Sequence, residues 1–343
     1  MLDTTKLTQQ VHQAMTRADV PGLAVDVVQN GAIVFHEVFG SKNSPSRPQL
    51  TPTTPFQAAS LSKPVFAYAV MKLWEQGKLD LLRPLAEYLP TPYNDLPQTA
   101  HITTQHVLSH TTGFPNWLEP EEPDFFALPG EQFGYSGEGF TYLQAVVEHL
   151  TGQPLHEYLS NTLFMPLDMN HSTFAWGLDD EGNFVKDNEG QIIPGTTNLF
   201  ANAAFSLFTT AHDYAQFLFA MLNPGDGSDH RLSQQTTQRM FTPQSQVGGL
   251  AALTWGLGRG LQRIGQGDWF WHWGGAQNYF ANYVVGSLAE RRGVVILTNN
   301  MGGFTLHEEI AQIALEHDWA HPAFDWLLPW EKWHPCGRKT ATS

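Results

Sequence analysis

Asn30-Gly31 sits between two apolar runs, Gly22 to Val28 and Ala32 to Val38, and this dipeptide is the strongest short signal for a β-hairpin. The remaining apolar runs of strand length lie near the opposite end, at Trp269 to Trp273, Asn282 to Leu288 and Gly293 to Thr298. Between the two groups, from about Ser60 to Asn223, the pattern is mostly helical with long loops. Leu7, Val11 and Met15 mark a helix before the hairpin, and Leu306, Ile310 and Ile313 mark one after the last strand. The predicted fold is therefore mixed α/β (α+β): an antiparallel sheet built from both chain ends, flanking helices, and an all-α insertion. Residues 1–59 and 224–343 form the predicted α/β domain and residues 60–223 the mainly helical one.

Composition narrows the function. A chain of 343 residues with 42% hydrophobic content can bury a sizeable core. No apolar run reaches the ~18 residues of a membrane span, so no membrane partner is expected. The start, Met1 to Leu7, carries no charged region followed by an apolar one, which makes the cytoplasm the expected location. A lone cysteine, Cys336, makes no internal disulfide. A net charge of −15 without a basic cluster argues against nucleic acid.

Several familiar chemistries lack their signatures. No G-x-S-x-G elbow occurs, and Gly256-x-Gly258-x-Gly260 reads as strand and turn glycines rather than a nucleotide loop. The 15 histidines include no H-E-x-x-H, and the pair His106 and His110 reads as structural. Asp179 to Asn183 and Asp187 to Gly190 lack calcium-loop spacing and read as solvated turns. Neither a metal nor a cofactor is implied.

Ser60-Leu61-Ser62-Lys63 places a hydroxyl and an amine three residues apart, on one face of a helix. The string alone arises by chance roughly once in a chain this long. Its setting adds weight: Pro64 suits a first helical turn, Phe66, Ala69, Val70, Leu73 and Trp74 recur at helical spacing, and Gly77 closes the run. Ser60 thus stands at or just before the start of a buried helix. A lysine desolvated there can lose its proton and activate the serine.

Two further segments follow, Tyr135-Ser136-Gly137 ahead of a helix closed by Gly152, and His272-Trp273-Gly274-Gly275 within an aromatic strand. In this order the chain resembles the serine β-lactamase and penicillin-binding superfamily, in its class C β-lactamase-like branch of D,D-carboxypeptidases, D-aminopeptidases and carboxylesterases. Val107 to Pro115, Phe164 to Met169 and Ser206 to Tyr214 resemble secondary signatures of that branch. The likeness runs from about Pro21 to about Asn300; the tail from Ala320, with Trp326, Trp330 and Trp333, lies outside it.

The resemblance implies an active site in the groove between the two domains and a two-step acyl transfer. Ser60 would be the nucleophile and Lys63 and Tyr135 its proton-handling partners, with the order of proton transfer open. His272, where many relatives carry lysine, would hydrogen-bond toward Tyr135 or substrate and add a pH dependence near neutrality. The backbone amides of Ser60 and Gly275 would form the oxyanion hole. Gly137, Trp273 and Gly274 would line the substrate site, the glycines letting substrate approach the strand. Trp117, Trp176, Trp269, Trp271 and Trp273 flank the motif loops and are candidate pocket walls.

Two departures from the family pattern bear on substrate. Gly137 stands where amide-cleaving members carry asparagine, and His272 removes a fixed cation that would grip a carboxylate. Both favour a carboxylesterase on short-chain or aryl esters. A β-lactamase or D-amino-acid peptidase ranks second. A non-catalytic penicillin-recognising or scaffold protein ranks third. The expected partner is a small-molecule ester, amide or β-lactam substrate.

Overall fold

The computed structural model describes all residues except 1, 43–47, 120–123, 176–200, 226–229, 249, 251, 277–278, 319 and 328–343. Trp176, the turns at Asp179 and Asp187, Trp330, Trp333 and Cys336 lie outside the described residues, as does the side chain of Trp326.

The chain opens with helix α1 (Thr4–Ala18) and the hairpin β1 (Gly22–Gln29) and β2 (Ala32–Gly40). A short strand, β3 (Phe56–Gln57), leads to α2 (Ser62–Glu75). Then come α3 (Thr104–Leu108), α4 (Gly137–Thr151), α5 (Leu155–Leu159), the short strand β4 (Phe208–Thr209) and α6 (Ala211–Leu222). Helix α7 (Gln234–Met240) precedes β5 (Ser245–Gln246), β6 (Leu253–Trp255), β7 (Gly260–Ile264), β8 (Gly267–Ala276), β9 (Phe280–Ser287) and β10 (Arg292–Thr298). Helices α8 (His307–Ala314) and α9 (Pro322–Leu327) finish the described chain.

Asn30 and Gly31 take φ values of 52° and 79°, the paired left-handed conformation of a two-residue hairpin turn. The hairpin then joins the last strand: the eight-stranded sheet runs β2-β1-β10-β9-β8-β7-β6-β5, and every neighbouring pair is antiparallel. The register of β1 on β10 sets Val25 opposite Ile296 and Val27 opposite Val294. Both faces of β1 are buried, so its residues read as one apolar run rather than an alternation.

One apolar core lies between one sheet face and the helices, with Phe66, Val70, Leu143, Phe217 and Val284 among its members. A second, with Leu7, Val11, Trp271, Val285 and Ile310, lies under α1 and α8. Helix α6 falls in the segment read as helical, yet it packs on β1, β2, β9 and β10. No helix among the described residues is long and apolar enough to cross a membrane.

Candidate active site

Ser60 lies in a single 3₁₀ turn, Ala59–Leu61, immediately before α2. The turn is tied down on both sides. The Ala58 amide donates to the Leu207 carbonyl at 2.8 Å. The Ser62 hydroxyl donates to the Ala59 carbonyl at 2.6 Å and accepts from the Leu207 amide at 3.0 Å. Ala59 itself has φ 49°, a left-handed conformation that costs a non-glycine residue about 1–3 kcal/mol and persists only where the surroundings impose it. The strain sits next to the serine hydroxyl.

Strand β7 begins at Gly260, opposite Trp271, so β8 from His272 onward pairs with β9 alone. The edge left open runs along the Ser60 turn. Gly274 makes this approach feasible: a Cβ there would overlap the Ala58 carbonyl oxygen and stand 3.3 Å from the Leu61 nitrogen. What Gly274 admits in this structure is the backbone of the Ser60 turn. Gly275, one residue on, is exposed, with the Phe304 ring 3.2 Å from where its Cβ would stand.

Lys63 is 1% exposed, and its Nζ donates to Ser60 Oγ at 3.3 Å and to the Ala204 carbonyl at 2.9 Å. The ammonium faces the Tyr135 ring at 4.7 Å and the Phe140 ring at 5.6 Å. Among the described residues no carboxylate pairs with it. Burial without a counter-charge pulls its pKa down to about 7, so at neutral pH much of the amine has a lone pair to offer Ser60.

Tyr135 follows the opposite trend. Burial raises its phenol above the ordinary value, and the nearby Ser60 hydroxyl relieves this only in part. The phenol oxygen is buried and makes no hydrogen bond of good geometry. The Lys63 ammonium does not bring this phenol down. Lys63 lies over the ring face, and desolvation is the larger effect.

His272 also corrects an expectation. It is fully buried; its Nδ1 donates to the Trp273 carbonyl at 2.7 Å, which leaves Nε2 as an unpartnered acceptor. Burial first, then the Lys63 charge, hold its pKa well below the ordinary histidine value. It therefore stays neutral near pH 7, and the group titrating there is Lys63. Its ring lies 6.3 Å from that of Tyr135, without a hydrogen bond between them.

His110, read as structural from the sequence, holds that role right beside the site. Its Nδ1 accepts from the Ser136 amide at 3.1 Å, and its ring packs 4.3 Å from Tyr135 and 5.0 Å from Trp255. It holds the backbone beside Tyr135 and, like His272, is buried with a strongly lowered pKa. Its partner in the sequence pair, His106, caps α3 by accepting from the Thr103 amide.

Gly137 opens α4, its amide donating to Asn116 Oδ1 at 2.9 Å. A Cβ at Gly137 would overlap the Trp117 ring, so this half-buried indole fills the place of a side chain. Trp273 packs 4.8 Å from Tyr135. Trp269 and Trp271 are buried in the core beneath α1 and α8 and are not pocket walls. The structure thus gathers Ser60, Lys63, Tyr135 and His272 at one place, with Gly274 and Gly275 alongside.

Comparison with known proteins finds relatives over most of the chain. Protein flp of Staphylococcus aureus (strain MRSA252) is 23% identical over 336 residues, spanning 90% of this chain and 64% of that protein. The chain thus covers under two thirds of that relative's length. The octameric penicillin-binding protein homologue from Pyrococcus abyssi superposes with a TM-score of 0.77 at 24% identity, over 92% of this chain and 77% of that one. The D-alanine carboxypeptidase AmpC from Burkholderia cenocepacia gives 0.76 at 20% identity, over 91% and 98%. Both share the fold. Residues 7–318, nearly the whole described chain, match the Beta-lactamase family, and to that family the chain belongs.

Proposed function

We propose that this member of the Beta-lactamase family is a carboxylesterase for short-chain or aryl esters, acting through an acyl-enzyme on Ser60. The observation that carries the chemistry is Lys63, buried with no carboxylate partner among the described residues and 3.3 Å from Ser60 Oγ. The neutral amine takes the serine proton as Oγ attacks the ester carbonyl. The amides of Ser60 and Gly275 receive the developing oxyanion. As the tetrahedral species collapses, the C–O bond to the leaving group breaks. The proton passes from the Lys63 ammonium to the departing alkoxide, relayed by the neutral Tyr135 hydroxyl. Water then hydrolyses the acyl group by the reverse proton path. His272 lines the site as a neutral acceptor.

The ester preference rests on Trp117. An apolar ring covers Gly137, where an amide-binding side chain would stand, and neutral His272 offers no cation to a substrate carboxylate. An ester needs less help because its leaving group is better. The test compares kcat/KM for p-nitrophenyl butyrate with that for a penicillin and for a peptide ending in D-Ala-D-Ala. The proposal expects the ester to lead by at least about 100-fold, or roughly 2.7 kcal/mol of transition-state stabilisation. A penicillin or peptide hydrolysed as fast as the ester would make this a β-lactamase or D-amino-acid peptidase instead.

A further inference from the structure

Asp26 is a fully buried carboxylate in the middle of β1, a strand otherwise lined by Leu23, Ala24, Val25, Val27 and Val28. An isolated charge there would be costly. Two histidines from different elements converge on it. The β1–β2 register sets His36 directly opposite, and its Nδ1 lies 2.8 Å from Asp26 Oδ1. His212, in the first turn of α6, brings its Nδ1 to 3.3 Å from Asp26 Oδ2.

We propose that Asp26, His36 and His212 bind a divalent transition-metal ion of the zinc class. Zinc takes imidazole nitrogen and carboxylate oxygen at about 2.0–2.2 Å, so two of its ligands at a tetrahedral angle stand about 3.4 Å apart. His36 Nδ1 stands 2.8 Å from Oδ1 and His212 Nδ1 3.3 Å from Oδ2 of the same carboxylate, and one ligand atom from each of the three residues lies within 4.8 Å of the others. Small shifts would admit the ion. The two histidine side chains are 29% and 41% exposed, which opens a fourth coordination position to water. Three protein ligands and one water is a common zinc arrangement.

The ligand chemistry narrows the ion. Two imidazoles and one carboxylate suit zinc and its neighbours, whereas calcium and magnesium call for oxygen alone. Gln216 supplies an outer partner: its side-chain amide lies 3.5 Å from His212 Nε2, and with the amide turned, its oxygen accepts the Nε2–H. Binding leaves each imidazole neutral, with the lone pair on Nδ1 directed to the metal and the proton on Nε2. No hydrogen bond or ring contact joins the three residues to Ser60, Lys63, Tyr135 or His272. The site is therefore distinct from the hydrolytic one.

The test titrates the full chain, stripped with a chelator, with Zn²⁺ in a calorimeter near pH 7.5. The proposal expects one ion per chain. His36→Gln and His212→Gln should each weaken binding by more than about 100-fold, a larger loss than removing an outer partner brings. Both side chains are partly exposed, so these variants carry the test even if Asp26→Asn fails to fold. Ser60→Ala should bind as the wild type does. Absence of saturable binding, or unchanged affinity in both histidine variants, would overturn the proposal and leave a carboxylate hydrogen-bonded by two imidazoles.

Discussion

At the scale of single residues, the site depends on a lysine made costly on purpose. Holding an amine whose pKa is about 7 rather than the ordinary 10.5 costs the fold on the order of 4 kcal/mol at pH 7. The hydrogen bonds to Ser60 and Ala204 offset about 1 kcal/mol each. Lys63→Met should therefore be inactive yet more stable at pH 7, by on the order of 2 kcal/mol. The sign with pH follows from a lowered folded-state pKa. The unfolded chain binds the extra proton between about 7 and 10.5, so wild-type stability rises through that window and the variant's advantage fades. Urea denaturation of both proteins at pH 7 and pH 10 measures this; an equal difference at both values would mean that Lys63 is not desolvated. His272 and His110 belong to the same scale, since burial keeps both neutral and prevents their charges from competing with that of Lys63.

Among elements, the decisive contact is the open edge of β8 against the 3₁₀ turn that carries Ser60. Gly274→Ala would drive a methyl into the Ala58 carbonyl and push the strand off the turn. The expected result is a loss of about 1–3 kcal/mol in stability, with kcat/KM falling by 100-fold or more. Near-normal activity would show that strand and turn need not touch. The start of α4 gives a paired prediction. Gly137→Asn alone should destabilise, because Trp117 occupies the space. With Trp117→Ala added, stability should recover and penicillin hydrolysis rise relative to ester hydrolysis, whereas an unchanged ratio would rule out Trp117 as the determinant of substrate preference. Element by element, the sequence was readable where the signal is local. The Asn30-Gly31 hairpin, α1, α2, α4 with its Gly152 cap, and β8 to β10 all lie where periodicity and turn residues placed them. The short strands β3 to β7 were not individually readable, since two to five residues carry too little pattern.

For the molecule as a whole, the sheet joins the first hairpin to the last strand, and this closure brings together residues far apart in the chain. Ser60 comes from the turn before α2, Lys63 from the first turn of α2, Tyr135 from the loop before α4 and His272 from β8. The catalytic candidates could be named from motif and resemblance, but the roles of His110 and Trp117 could not, because each depends on a tertiary contact. The Asp26, His36 and His212 cluster was hidden for the same reason: it requires a strand register and a helix lying across it. The expected pH response of His272 failed because sequence carries no measure of burial. The most direct test of the whole assembly is the rate of acyl-enzyme formation from p-nitrophenyl butyrate against pH, followed by the nitrophenol burst and the intact mass. The account predicts a butyryl adduct whose rate of formation climbs through about pH 7 as Lys63 loses its proton, and less than about a hundredth of that rate in Ser60→Ala. An adduct that persists in Ser60→Ala, or a rate that keeps rising toward the ordinary lysine range with no inflection near 7, would contradict it.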